Sequence, residues 1–392
     1  GVFDEKGKNP FDKIGYAEVD TKENRALNQK VAEKCVVLLK NEKGLLPLDK
    51  KALKTVGVIG PNANNRRALV GNYEGTASRY WTILEGIQEY LGDDVRVLAS
   101  EGCHLCHKKA QGLGQEDDRI SEVKAVCANS DVIIACLGLD SGLEGEEGDQ
   151  GNEYASGDKP NLELPGLQQH VLETICSFGK PVVLVLLSGS ALAVNWADQN
   201  VPAILQGWYP GAQGGLAIAN ILFGEKNPEG KLPVTFYKST DELPEFTDYS
   251  MKGRTYRYMQ SDALYPFGYG LSYTDFEYSN IDVSANADGA VVNATVKNTG
   301  KMAGGETMQV YVKVCKDGAP NYQLKGIQKL FLAPGESKDV SIKLPKEALG
   351  VFDENGELKI GGKTVIYVGG QAPDARSEKL TGKKVSAFEF MI

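Results

Sequence analysis

No apolar run in this sequence approaches the roughly 20 residues that span a bilayer; the longest, 181–187, has the length of a buried strand. A basic excess is missing as well. The 43 Lys and Arg are outnumbered by 52 Asp and Glu, for a net charge of -9, and neutralising phosphates needs a concentrated basic face, so nucleic acid is excluded as a main partner. Only three histidines occur, which leaves little material for a Ser/His/Asp arrangement. Cysteine is sparse and odd in number, seven in all, with Cys35, Cys136 and Cys176 inside apolar segments. That fits buried free thiols better than a disulfide framework, and a reducing, cytoplasmic setting is the expectation. The opening residues, Gly1-Val2-Phe3-Asp4-Glu5-Lys6, hold neither an initiating Met nor the apolar core of a signal peptide, so a processed or truncated piece is expected.

What is present suffices for large cores: 42% of the 392 residues are hydrophobic and 24% charged, the balance of soluble globular domains, with length for two or three of them. From 22 to 39, Leu27, Val31, Cys35, Leu38 and Leu39 recur at spacings of four and three, one face of an amphipathic helix with Thr21 as a candidate cap. From 55 onward short apolar runs alternate with helical stretches. Strands are expected at 56–59, 95–98, 132–137, 182–187, 203–206 and 232–236, and helices at 84–91, 119–128, 167–178, near Asn195, and at 216–223. Continuous apolar runs mean strands covered on both faces, and strand–helix alternation means a mostly parallel sheet of five or six strands sandwiched by helices. The Tyr-, Pro- and Gly-rich stretch 239–275 reads as a structured connection. Beyond it the text turns all-β, with alternating runs at 291–296, 307–314, 338–344 and 363–368, and predicts a small β-sandwich over 276–392. Residues 1–20 belong to neither unit, and the α/β unit is set at 21–238. The sequence shows no internal repeat and no low-complexity tract.

Open parallel sheets bind ligands outside the carboxyl ends of their strands. The loop after 56–59, Gly60-Pro61-Asn62-Ala63-Asn64-Asn65-Arg66-Arg67, has neither the Gly-Lys-Ser/Thr ending nor the glycine triplet of a phosphate loop. Leu187-Ser188-Gly189-Ser190 ends a strand without forming a Gly-x-Ser-x-Gly elbow. Asn293-Ala294-Thr295 is a glycosylation triplet of the kind common by chance. Cys103-His104-Leu105-Cys106-His107 has the spacing of covalent haem attachment and offers soft metal ligands. A haem also wants an apolar, helical pocket and a distal ligand, however, and His170 is the one histidine left. A polar connection between strand and helix is the preferred reading, with no metal and no cofactor.

The strand at 132–137 is more informative. It runs into Gly138-Leu139-Asp140-Ser141-Gly142-Leu143-Glu144-Gly145-Glu146-Glu147-Gly148-Asp149, and about thirty residues pass before the next helix near Pro165, far more than an α/β turn requires. Carboxylates packed this densely raise one another's pKa, and a carboxyl kept protonated near neutral pH is what a general acid needs. A solvated acidic loop and a carboxylate cation site are the alternatives at this point.

Several segments, in order, carry a resemblance: Leu45-Leu46-Pro47-Leu48, Val58-Ile59-Gly60-Pro61-Asn62-Ala63, Leu162-Glu163-Leu164-Pro165-Gly166, Gly211-Ala212-Gln213-Gly214-Gly215, Gly230-Lys231-Leu232-Pro233-Val234-Thr235-Phe236, Tyr265-Pro266-Phe267-Gly268-Tyr269-Gly270-Leu271-Ser272-Tyr273 and Leu332-Ala333-Pro334-Gly335-Glu336. The chain resembles family 3 glycoside hydrolases of the β-glucosidase and β-xylosidase type, in their carboxy-terminal part only: the α/β sandwich and a fibronectin-III-like domain. The resemblance implies a retaining exo-β-glycosidase whose nucleophilic Asp lies on an upstream β/α barrel, in a Ser/Thr-Asp-Trp-like motif that does not occur here. Residues 1–20 would be that barrel's tail, and the isolated chain is expected to be inactive. The general acid/base Glu would come from the acidic loop. Glu147-Gly148-Asp149 fits a short form of the family's motif, and Glu144-Gly145-Glu146 with Asp149 fits a long form; the motif's Arg is Gln150 here. The candidates are Glu147, then Glu146, then Glu144. No cofactor is implied. The implied partners are a β-glycoside or oligosaccharide and a barrel domain or separate chain; a homo-oligomer is compatible. The competing reading is a non-catalytic glycan-binding or assembly module that keeps the fold.

Overall fold

The structure, a computed structural model, describes residues 1–109, 114–145, 159–353 and 355–392. Thr21 caps the first helix, α1 (Lys22–Cys35), by accepting the N–H of Asn24. The helix ends sooner than its periodicity suggests, because Val36 to Leu39 are all buried and the chain turns into strand β1 (Val37–Asn41). Then follow β2 (Thr55–Ile59), α2 (Ile83–Leu91), β3 (Arg96–Ser100), α3 (Ile120–Ala128), β4 (Val132–Gly138), α4 (Gln168–Ser177), β5 (Val182–Leu187), α5 (Asn195–Asn200), β6 (Ala203–Gln206) and α6 (Gly214–Leu222). The six strands lie in the order β1-β6-β5-β4-β2-β3, parallel except for β1, which runs antiparallel to β6. The expected strand at 232–236 is absent: Phe236 makes a single bridge to Tyr265. Pro233 removes a ladder donor from that run, which confines it to the edge of a sheet at best.

Successive residues of β4 and β5 divide between two cores. Ile133, Ala135, Leu137, Leu184 and Leu186 face one, with α3, α4 and α5; Val132, Ile134, Cys136, Val183, Val185 and Leu187 face the other, with α2 and α6. Two-sided burial is why these strands read as unbroken apolar runs. α2 starts at a capping box between Thr82 and Glu85, and its Ile83, Ile87 and Leu91 form one fully buried stripe.

The connection beyond Phe223 includes one short helix, α7 (Thr255–Tyr258). It leads into β7 (Phe276–Asn286), β8 (Gly289–Asn298), β9 (Gly304–Val314), β10 (Gln323–Leu332), β11 (Ser337–Pro345), β12 (Gly350–Phe352), β13 (Leu358–Ile360), β14 (Lys363–Gly369), α8 (Ala375–Thr381) and β15 (Ser386–Met391). A four-stranded sheet, β10-β9-β14-β15, faces a three-stranded one, β11-β8-β7, across a core of Val292, Val296, Val310, Val312 and Ile366. β9 is buried on both faces because its other side meets the connection: Gln309 donates to the Gly268 carbonyl at 2.9 Å, and Tyr311 meets Tyr256 and Phe267 edge-on.

Candidate active site

In the six-stranded sheet the order reverses between β2 and β4: the chain goes outward from β2 to β3, returns to β4, and continues to β5 and β6. Loops diverge at such a point and leave a crevice outside the carboxyl ends of the strands. A cleft of ≈ 1000 Å³ lies there, lined by the loop after β2 (Pro61, Asn64, Arg66, Arg67), the loop after β3 (Glu101, His104, His107) and the root of the acidic loop after β4 (Asp140, Leu143).

Two glycines make the approach of these loops feasible. Gly60 and Gly138 have φ of 131° and 135°, and a Cβ on either would lie 2.0 Å from a carbonyl oxygen, that of Cys136 or Leu187. The loops are then tied to each other. Asn62 donates to the Leu139 carbonyl at 2.6 Å, and the buried Asp140 accepts the N–H of Gly142 at 2.9 Å and of Leu143 at 3.2 Å. Gln168, fully buried at the start of α4, accepts from Gly138 N–H and donates to the carbonyls of Gly138 and Leu105, so one amide holds both the β4 and β3 loops.

Of the three candidate glutamates, Glu144 is the one within the described residues; Glu146 and Glu147 lie outside them, as do Asp149 and Gln150. Glu144 points inward. Its oxygens accept the Gly189 N–H at 2.6 Å, the Ser190 hydroxyl and the Tyr209 hydroxyl. Burial, and the Glu144 charge beside it, push the Tyr209 phenol far above its ordinary range and keep it a neutral donor. Asn72 fixes the Glu144 carbonyl at 3.1 Å. On the far side of the acidic stretch, Lys159 donates to the Ala191 carbonyl at 2.9 Å; burial pushes its ammonium down, and Glu144 partly offsets this. Glu144 and Lys159, which flank residues 146–158, are thus both fastened to the segment 189–191 that follows β5. Ser188-Gly189-Ser190, weak as a nucleophile motif, instead supplies donors to a carboxylate. Tyr209 and Lys159 escaped sequence reasoning, since nothing local marks either one. The segment 103–107 stands on the same cleft through His104, Cys106 and His107, and both of its cysteines are buried in the apolar core.

A switch-point cleft in an α/β sandwich, with the root of the acidic loop on its wall and a β-sandwich following in the chain, defines a two-domain scaffold. Comparison with known proteins makes this specific. Residues 36–273 match the glycosyl hydrolase family 3 C-terminal domain, and residues 306–372 a fibronectin type III-like domain. A β-xylosidase of Formosa agariphila is 35% identical over 98% of this chain and 53% of its own length, and a periplasmic β-glucosidase of Salmonella typhimurium 34% identical over 94% and 51%. Among solved structures, a β-glucosidase from Erythrobacter marinus superposes with a TM-score of 0.78 at 32% identity, covering 95% of this chain and 51% of that one. A family 3 β-glucosidase from Bifidobacterium adolescentis gives 0.79 at 27%, covering 96% and 55%. This chain belongs to glycoside hydrolase family 3, of which it carries the C-terminal α/β domain and the fibronectin type III-like domain. It spans about half the length of the curated relatives it matches.

Proposed function

We propose that this chain is the acid/base-bearing portion of a retaining exo-β-glycosidase that releases terminal β-linked glucose or xylose. The observation that carries the reading is the anchored acidic insertion: it leaves β4 beside the switch-point cleft, and Glu144 and Lys159 on either side of residues 146–158 are both bound to 189–191. Glu144 is occupied by three donors and serves best as the anchor. The proton donor is then Glu147 or Glu146, in that order of preference.

The nucleophilic Asp comes from a β/α barrel, upstream in the same polypeptide or on a separate one. In a retaining site the two carboxyl groups stand about 5–5.5 Å apart. The acid first protonates the leaving glycosidic oxygen while the Asp attacks the anomeric carbon. The resulting carboxylate then takes a proton from water as the glycosyl-enzyme is hydrolysed. This chemistry uses no cofactor. Two further observations support a second wall to the cleft. The relatives are about twice as long as this chain, and large apolar side chains at its start, among them Phe3, Phe11, Tyr16, Leu27 and Val31, are exposed.

Mixing the chain with a family 3 barrel segment and assaying aryl β-glucosides and β-xylosides tests the reading. Turnover is expected from the mixture and none from the chain alone. Turnover by the chain alone overturns the two-part site, and glycan binding without turnover in the mixture favours a non-catalytic module.

A further inference from the structure

The loop after β3 is not used by the hydrolytic reading, although it lines the same cleft. Its sequence, Cys103-His104-Leu105-Cys106-His107, winds tightly. The N–H groups of Cys106 and His107 converge on His104 Nδ1 at 3.2 and 3.0 Å, and the His104 and His107 rings stack with centroids 4.5 Å apart. Cys106 Sγ lies 3.9 Å from His104 Nδ1, and one ligating atom from each of His104, Cys106 and His107 falls within 4.8 Å of the others. Among the described residues this is the one group of His, Cys and carboxylate side chains so closely gathered. Gln168 steadies the turn from α4 through its 2.6 Å bond to the Leu105 carbonyl.

Two imidazoles and a thiol are the donor set of a borderline-soft cation; magnesium and calcium take oxygen ligands. Around tetrahedral zinc, with bonds of about 2.0–2.1 Å to nitrogen and about 2.3 Å to sulfur, ligand atoms stand about 3.3–3.7 Å apart. The group is therefore about an ångström wider than a loaded site. His107 is exposed and can supply most of that movement by rotation. Cys103 is the neighbour that spacing alone would add; both cysteines are buried in the apolar core, but Cys106 lines the cleft and gathers with the two histidines, and Cys103 does neither.

We infer that His104, Cys106 and His107 form a zinc site at the carboxyl end of β3, with three protein ligands and the remaining position open to the cleft. Binding converts the Cys106 thiol to a thiolate, with its proton passing to solvent. It also draws His104 Nδ1 away from the two N–H groups that now hold it, or else recruits the ring through Nε2 with a change of tautomer. Either way the backbone of residues 104–107 is disturbed on loading. The inference does not rest on the glycosidase reading, because neither Glu146 nor Glu147 takes part.

Titrating the chelator-stripped chain with Co2+ as a spectroscopic stand-in, and then displacing it with Zn2+, tests the site. One equivalent is expected to produce a thiolate-to-cobalt charge-transfer band with the visible bands of a four-coordinate ion, and Zn2+ is expected to abolish both. Cys106→Ser should remove the charge-transfer band, and His107→Ala should weaken Zn2+ binding by at least about tenfold, or 1.4 kcal/mol. His107 is exposed, so the second variant does not depend on the core tolerating the first. Replacing the exposed Cys35 and Cys315 with Ser should change nothing. A wild-type chain without the band, or a band that persists in Cys106→Ser and disappears with Cys35 or Cys315, overturns the assignment.

Discussion

Glu144 joins three stretches of chain through one carboxylate: its own loop, the turn after β5 at Gly189 and Ser190, and Tyr209 beyond β6. A hydrogen bond to a charged acceptor contributes more than a neutral one, and removing a single donor here should cost about 1–2 kcal/mol. Tyr209→Phe should therefore unfold at a measurably lower urea concentration, and an unchanged midpoint would show that the phenol holds nothing. Gln168→Leu should cost more, on the order of 2–3 kcal/mol, because it strands buried backbone groups of Gly138 and Leu105 together; chemical denaturation reads that directly. Burial pushes the Cys127 thiol up to about 11 and the Cys136 thiol higher still. A folded pKa raised above the unfolded value of 9.0 gives stability that is complete below about pH 9 and lost as pH climbs towards 11. Thiol labelling at pH 8 should reach Cys35 and Cys315 in the folded chain and spare Cys127 and Cys136, with the protection failing on the alkaline side. Rapid labelling of Cys136 at pH 8 would contradict its burial. The acidic character of the loop was plain in the text, where four carboxylates sit among glycines. Its partners were not, because Tyr209 is 65 residues from Glu144 and only folding brings the two together.

β1 shows how an element can be misread. Leu38 and Leu39 continue the three-and-four spacing of α1, so periodicity alone extends the helix through them. The better signal was four consecutive apolar residues, Val36 to Leu39, all at 1% exposure or less, a run that suits a strand covered on both faces. The stripe positions that do lie in α1 are all exposed, Leu27 by 58% and Val31 by 51%, and Cys35 with them. The stripe was therefore legible, but its exposure was not. The parallel strands were legible from their burial on two faces, and the loop after β4 from its length. At its root Gly138 combines a φ of 135° with the close approach of the Leu187 carbonyl. Gly138→Ala should lower stability by about 1–3 kcal/mol through backbone strain alone, with the overlap adding to it. A variant as stable as the parent would mean that the β4–β5 register can yield without loss.

Across the whole molecule the α/β domain and the β-sandwich are locked by polar groups as well as by apolar packing. Asp198 on α5 accepts from Tyr265 at 2.8 Å in the connection and from Arg376 at 3.0 Å on α8, while Arg376 also binds the Leu264 carbonyl. The two charged side chains are only 14% and 19% exposed, so stripping one partner leaves the other poorly compensated. Arg376→Met should cost about 1–3 kcal/mol and broaden or split the thermal transition in calorimetry; a single transition of unchanged position would place the coupling elsewhere. Composition and periodicity reached the two-domain architecture, and the Tyr265 to Tyr273 segment carried the family resemblance. Tyr265 and Tyr269 are fully buried in one core of the α/β domain, Tyr269 donating to the Leu39 carbonyl, so that motif marks the scaffold and not the chemistry. The proposed chemistry rests on a carboxyl of the loop after β4 handing its proton to the leaving oxygen. Its most direct test is kcat/KM for Glu146→Gln and Glu147→Gln in the protein completed by its nucleophile-bearing domain, on aryl β-glycosides with poor and activated leaving groups, with and without azide. One of the two variants should lose about 10²–10⁴-fold on the poor leaving group, lose little on the activated one, and recover turnover with azide. Small, equal losses in both variants on both substrates would contradict the account.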